Sequence, residues 1–233
     1  MVNDLLLRYT ELVDIRKQYK LPLESAFINQ ANFENGIFDK ATLLDPLAHW
    51  HRKIPADILV IGQDWGGADY YKNNKGRDSD SNPTCLNLRE LFMAVGIDTG
   101  SPSKPSPELL HFTNIIPFIR RGAMQGSLQP LITQDSINHF ASTFTIPLIA
   151  LVNPKIIITL GLAATKAVFF IYNINVSKGK QLKRIMELSP FSGINSPLIF
   201  PVYHCGSSTI NRNRSLDEQK ADWEKMLNYL QIT

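Results

Sequence analysis

Four short apolar runs constrain the fold of this chain more than any other feature: ADILVIG at 56–62, HFTNIIPF at 111–118, PKIIITLG at 154–161 and PLIFPVYHC at 197–205. Each is rich in branched residues and ends in a turn or a polar break. Their length and continuity suit strands buried on both faces of a sheet. Between and after them the apolar spacing turns helical, over 86–95, 134–152, 161–171, 178–188 and 215–230. The last of these starts at Ser215 with Glu218 three residues on, a capping-box pattern, and Pro147 is expected to kink the 134–152 helix. Strands alternating with helices predict a three-layer α/β/α fold around a central, mainly parallel four-stranded sheet.

A chain of 233 residues suits one such domain over 1–233. Residues 1–50 precede the first strand, and the spacing of Leu5, Leu6, Tyr9, Leu12 and Val13 predicts a helical extension packed onto the domain. The polar stretch 72–83 and the Pro/Ser-rich stretch 98–108 read as loops long enough to be functional surface. The balance of 44% hydrophobic and 19% charged residues is that of an ordinary soluble protein, and no apolar run approaches a membrane span. The acidic, amphipathic start is unlike a signal peptide, so a cytoplasmic protein is expected. Its two cysteines, Cys85 and Cys205, are too few for a disulfide scaffold or a four-cysteine metal site. A net charge of +3 permits contact with an anionic polymer without requiring it. Basic residues cluster at Lys72/Lys75/Arg77, Arg120/Arg121, Lys178/Lys180/Lys183/Arg184 and Arg212/Arg214.

In an open parallel sheet, ligands bind beyond the carboxyl ends of the strands. Three of the four runs carry unusual polar residues there: Gly62-Gln63-Asp64-Trp65-Gly66-Gly67, Thr113-Asn114, and His204-Cys205-Gly206-Ser207-Ser208. The third run ends in Leu160-Gly161, an ordinary strand-to-helix turn. One rim is therefore expected to gather a carboxylate (Asp64), an amide (Asn114) and an imidazole (His204).

The first of these segments resembles the Gly-Gln-Asp-Pro-Tyr signature of the uracil-DNA glycosylase superfamily. Pro83-Thr84-Cys85-Leu86-Asn87-Leu88 is similar to the stretch entering that family's next helix, and FTNIIPF resembles the strand bearing its base-reading asparagine. YHCGSSTINRNRS resembles the closing His-Pro-Ser loop. The order and rough spacing agree over about residues 56–216. The resemblance implies a glycosylase that flips uracil or a related damaged base out of DNA and hydrolyses its bond to deoxyribose. Because no lysine stands within the rim motifs to act as a Schiff-base nucleophile, a monofunctional enzyme leaving an abasic site is expected. Asp64 and His204 would be catalytic. Gly62, Gln63, Gly66, Tyr71 and Asn114 would bind the base, with Tyr70 the other candidate for stacking. Gly206, Ser207, Ser208, Asn211 and Arg212 would grip DNA phosphates, and Ile210 would fill the gap left by the extruded base.

The residue types suit that chemistry. A carboxylate near the sugar stabilises the developing cation and orients water. An amide pairs with the N3–H and O4 of uracil together. A neutral histidine donates to O2 as negative charge builds there. The competing readings are an Asx turn for Asp64, a buried structural asparagine for Asn114 and a packed strand-end histidine for His204. Trp65 and Gly66 depart from the proline and tyrosine of the family's main branch, and Cys205 from its His-Pro-Ser proline. The cysteines of the iron–sulfur branch are absent. No cofactor, no metal and a monomeric state are expected. Two other functions stay open: a DNA-binding module that has lost catalysis, and a metal-dependent phosphohydrolase using Asp64, Asp69, Asp78 and Asp80, of which Asp78 and Asp80 read as a solvated turn.

Overall fold

The computed structural model describes residues 2–22, 25–40, 42–122, 132–175, 181–192, 196–207 and 214–230. The apolar runs form the central sheet: β1 (Ile58–Asp64), β2 (Leu110–Ile116), β3 (Ile156–Leu160) and β4 (Leu198–Val202). The order is β2-β1-β3-β4 and every neighbouring pair is parallel. Ile58 stands opposite both Leu110 and Ile156, and Ile156 opposite Leu198, so the strand starts are level.

The helices are α1 (Val2–Gln18), α2 (Ala68–Asn73), α3 (Pro83–Ala94), α4 (Gln134–Phe140), α5 (Ile146–Val152), α6 (Leu162–Ile171), α7 (Leu182–Met186), α8 (Leu216–Glu224) and α9 (Leu227–Leu230). Successive strand residues point to opposite faces. Leu59, Ile61, Ile157 and Ile199 pack with α1, α4, α5 and α6 in one core. Ile58, Val60, Phe112, Ile158 and Phe200 pack with α3 and Trp223 of α8 in the other. The expected three layers are present.

Details differ from the expectation where local chemistry intervenes. Helix α3 starts at Pro83 rather than 86, because the Asn82 side chain accepts from Thr84 N at 2.9 Å and Pro83 sits where no N–H is needed. The 134–152 helix is interrupted before Pro147 by a π-helical turn, Ala141–Thr145. The Ser215–Glu218 capping box forms, but its helix breaks between α8 and α9, where Met226 N bonds Trp223 O at 2.8 Å. The 72–83 stretch is loop only after α2, which ends at Asn73.

In the N-terminal segment Tyr9, Leu12 and Val13 join the core, whereas Leu6 is 49% exposed. After α1 the segment is held by polar bonds rather than by a second long helix. Arg16, fully buried, pairs with Asp39 at 2.8 Å and donates to Leu43 O at 2.9 Å.

Candidate active site

A cleft of about 860 Å³ opens at the carboxyl ends of all four strands. Gly62–Asp64 enter it from β1, Asn114 from β2, Gly161 after β3, and Tyr203 and His204 after β4. Three polar groups far apart in sequence meet there because a parallel sheet brings equivalent strand ends to one edge. Strand β1 continues through Asp64, which lies opposite Ile116 in the ladder. Asp64 is thus held by sheet pairing, not by a free turn.

Asp64 faces a cation that the sequence did not advertise as part of the site. Arg120 Nη2 donates to Asp64 Oδ2 at 2.5 Å, and Gln63 Nε2 donates to the same oxygen at 2.9 Å. Oδ1 receives no hydrogen bond from the described residues, and Asp64 lines the cleft. Arg120 is fixed in turn: Ile119–Arg120 pairs antiparallel with Phe27–Ile28, and Arg120 N donates to Gly66 O at 2.7 Å. The N-terminal segment therefore supports the site.

Asn114 is 4% exposed, and its amide sits between two constraints. Its Nδ2 donates to Asp45 Oδ1 at 3.1 Å. Its Oδ1 lies over Gly62, where a Cβ would stand only 2.3 Å away. Glycine at 62 is required by that approach. Asp45 caps the 3₁₀ turn Pro46–His49 through Leu47 N, and also accepts from Thr113 Oγ1 and Asn114 N. Burial pushes its carboxyl up to about 6, against the pull of those donors.

His204 accepts from Gly206 N through Nδ1 at 3.0 Å, which leaves the proton of the neutral ring on Nε2. Burial lowers its pKa below the usual histidine value, with the Asp64 charge opposing. Its loop is tied to α3, since Asn87 Nδ2 donates to Cys205 O at 2.8 Å. Gly161, read as an ordinary turn, lies directly beneath: a Cβ there would contact His204 Cβ at 3.5 Å.

The wall beside β1 is aromatic. Trp65 and Tyr70 line the cleft with ring centroids 5.0 Å apart. Trp65 Nε1 donates to Asp78 Oδ2 at 3.0 Å, and the Tyr70 hydroxyl reaches Asp78 Oδ1 at 3.5 Å. Asp78 is therefore a cleft residue rather than part of a solvated turn, and burial pushes its carboxyl up to about 7. Asp80 is exposed and bonds Ser103, in keeping with the turn. Tyr71, expected to stack on the base, is 2% exposed and packed under the wall against Phe33, Phe38 and Trp65. It does not line the cleft; Tyr70 does. Neighbours on a helix point about 100° apart, and only one of the pair can face the opening.

Gly62, Gln63, Gly66, Gly206 and Ser207 also line the cleft. Ser208, Ile210, Asn211 and Arg212 lie outside the described residues. Among the described residues no group of three or more His, Cys, Asp or Glu side chains is placed to hold a metal ion. No helix among them is long and apolar enough to cross a membrane.

Asp45 and Arg120 are site residues that sequence reasoning missed, and Asp78 reads from sequence only as a turn residue or a metal ligand of the alternative function. Asp45-Pro46 carried a cap signal, but nothing local ties it to Asn114. Set against family models and against curated proteins, the sequence matches none.

Proposed function

We propose that the protein is a monofunctional DNA glycosylase that hydrolyses the N-glycosidic bond of uracil, or of a related damaged base, in DNA. The observation that carries this reading is the convergence of Asp64, Asn114 and His204 in one cleft, each held in a state fit for its part. In this reading the target nucleotide leaves the duplex and its base enters the cleft. Asn114 Oδ1 accepts from N3–H, and the second Nδ2 hydrogen donates to O4. His204 Nε2–H donates to O2.

As the bond between C1′ and N1 breaks, its electron pair goes to the base, where His204 offsets the growing charge. The Asp64 carboxylate offsets the cation on the sugar and accepts a proton from the water that adds to C1′. The departing base anion takes up a proton as Asp64 gives its own back through water, so the products are a neutral free base and an intact abasic site, with the carboxylate restored. Arg120 and Gln63 occupy only Oδ2, which favours presentation of Oδ1 to the sugar.

DNA contact is supported by a second groove, about 660 Å³, which shares Trp50 with the cleft and is lined by Lys40, Arg52, Lys53 and Arg77. Cations in such a groove attract a phosphate backbone. We take the working form to be a cytoplasmic monomer. The test uses oligonucleotides carrying one uracil, hypoxanthine, hydroxymethyluracil or mispaired thymine, treated with the purified protein and then with alkali. Strand breaks at uracil that require alkali are the expected result. No break at any of these bases, or borohydride trapping of a covalent adduct, would overturn the proposal.

A further inference from the structure

We infer that Asp45 is a positioning residue that fixes the Asn114 amide in one orientation and so sets the cleft to accept uracil and refuse cytosine. The inference rests on the base-reading role proposed above. An asparagine amide presents an acceptor and a donor of almost equal size, and turning it over by 180° exchanges them. The two pyrimidines differ in the same sense. Uracil offers N3–H as donor and O4 as acceptor, whereas cytosine offers N3 as acceptor and its amino group as donor. A freely turning amide would therefore pair with either. Something must hold it.

The structure supplies the hold. Asp45 is 1% exposed and takes four hydrogen bonds, from Leu47 N and Asn114 Nδ2 on Oδ1, and from Thr113 Oγ1 and Asn114 N on Oδ2. A carboxylate only accepts, so the face of the amide turned toward it must be the NH₂. The reversed amide would set two oxygens against each other in place of the 3.1 Å bond. Gly62 makes room for Asn114 Oδ1 on the other side, where a side chain would intrude. Burial keeps water from substituting for the carboxylate. With Nδ2 committed to Asp45 through one hydrogen, the other hydrogen and Oδ1 remain for the base, in the arrangement that matches uracil.

The test measures binding of free uracil and free cytosine to the full-length protein at pH 8, so that catalysis plays no part. Wild type should favour uracil. Asp45→Asn keeps the size and the helix-capping ability of the side chain, but offers the amide either an acceptor or a donor. The uracil-to-cytosine ratio should fall about 10-fold or more, the scale of one mispaired buried hydrogen-bonding group. A purely structural role for Asp45 would weaken both bases together, and a folded variant with an unchanged ratio overturns the inference. Should Asp45→Asn fail to fold, ¹⁵N-asparagine labelling of the wild type decides instead. One Asn114 side-chain proton should be shifted far downfield and exchange slowly; two equivalent, fast-exchanging protons overturn the inference. Wild type that binds neither base overturns the functional reading, while the amide spectrum still decides whether Asp45 holds Asn114.

Discussion

Arg120 Nη2 stands 2.5 Å from Asp64 Oδ2, and the two side chains are 3% and 4% exposed. A buried ion pair of this kind contributes little net stability, because both charges have been taken out of water. Its consequence is positional. The bond commits one carboxylate oxygen, stops rotation of the group and leaves the second oxygen directed by the geometry of the first. The same arginine holds the loop after β1 through Gly66 O at 2.7 Å. One residue thus fixes both the carboxylate and the backbone next to it.

Two substitutions separate chemistry from support. Asp64→Asn keeps an oxygen for Arg120 but removes the negative charge, so turnover should fall by about 10² or more with DNA binding nearly intact. An unchanged rate removes Asp64 from the mechanism. Arg120→Met strands a buried carboxylate and should cost about 3–5 kcal/mol in urea unfolding. A loss under about 1 kcal/mol would mean that water reaches the pair.

His204 is poised to act uncharged. Burial lowers its pKa below the ordinary 6.5, so the imidazole stays neutral at pH 7 and Nε2 remains a donor. His204→Ala should lower turnover by about 10²-fold, the scale of one lost donor to a developing anion. An acid limb in the wild-type rate profile centred above pH 6.5, and absent from the variant, would show a charged ring and contradict this role.

Asp78 should tie stability to pH. Its carboxyl is raised from 3.8 to about 7, first by burial and then by the charge of Asp45, while the bond from Trp65 opposes. Between those values the folded state holds a proton that the unfolded state has lost. The stability contributed by Asp78 is therefore full at low pH and declines as pH rises through that window. The difference in melting temperature between wild type and Asp78→Asn should shift against wild type from pH 5 to pH 8. A constant difference would show that Asp78 is ionised throughout.

The strands and the rim trio were legible because their signals are local. An apolar run with a carboxylate, an amide or an imidazole at or near its carboxyl end marks a strand rim whatever the rest of the chain does. Asp45 was not legible: its partners, Thr113 and Asn114, come from a strand that the chain reaches only after β1, α2 and α3. Arg120 looked like one of a scattered basic pair, since a two-residue pairing with Phe27–Ile28 leaves no periodicity to read. Tyr70 and Tyr71 could not be told apart, because α2 is six residues long and too short to show which of its faces is apolar.

Gly62 gives a test of the close approach to Asn114. A methyl group at this position would stand 2.3 Å from Asn114 Oδ1, well inside contact distance, in the middle of a buried strand. Gly62→Ala should push the amide out of place and abolish uracil binding, with the rest of the sheet intact by circular dichroism. Retained uracil affinity would mean that Asn114 does not touch the base.

In the proposed reaction, tolerance of groups at carbon 5 of the base depends on what replaces the tyrosine that resemblance to the family's main branch would place at 66. Gly66 has φ +127°, a backbone region that side chains rarely adopt, and its carbonyl is bound by Arg120. Gly66→Tyr would therefore strain the loop rather than simply fill space. The side chains that do line the cleft here are Trp65 and Tyr70, packed together and anchored on Asp78. A wall of this kind rejects an added methyl-sized group by only about 1–3 kcal/mol. Hydroxymethyluracil should thus be excised by the wild type, measurably but more slowly than uracil. Trp65→Ala should narrow that gap, whereas Trp65→Phe, which loses the bond to Asp78 but keeps a ring, should narrow it less. Single-turnover excision of the two bases from matched oligonucleotides gives the ratio directly. If Trp65→Ala slows both bases equally, the indole supports the loop without touching carbon 5, and the selectivity resides elsewhere in the cleft.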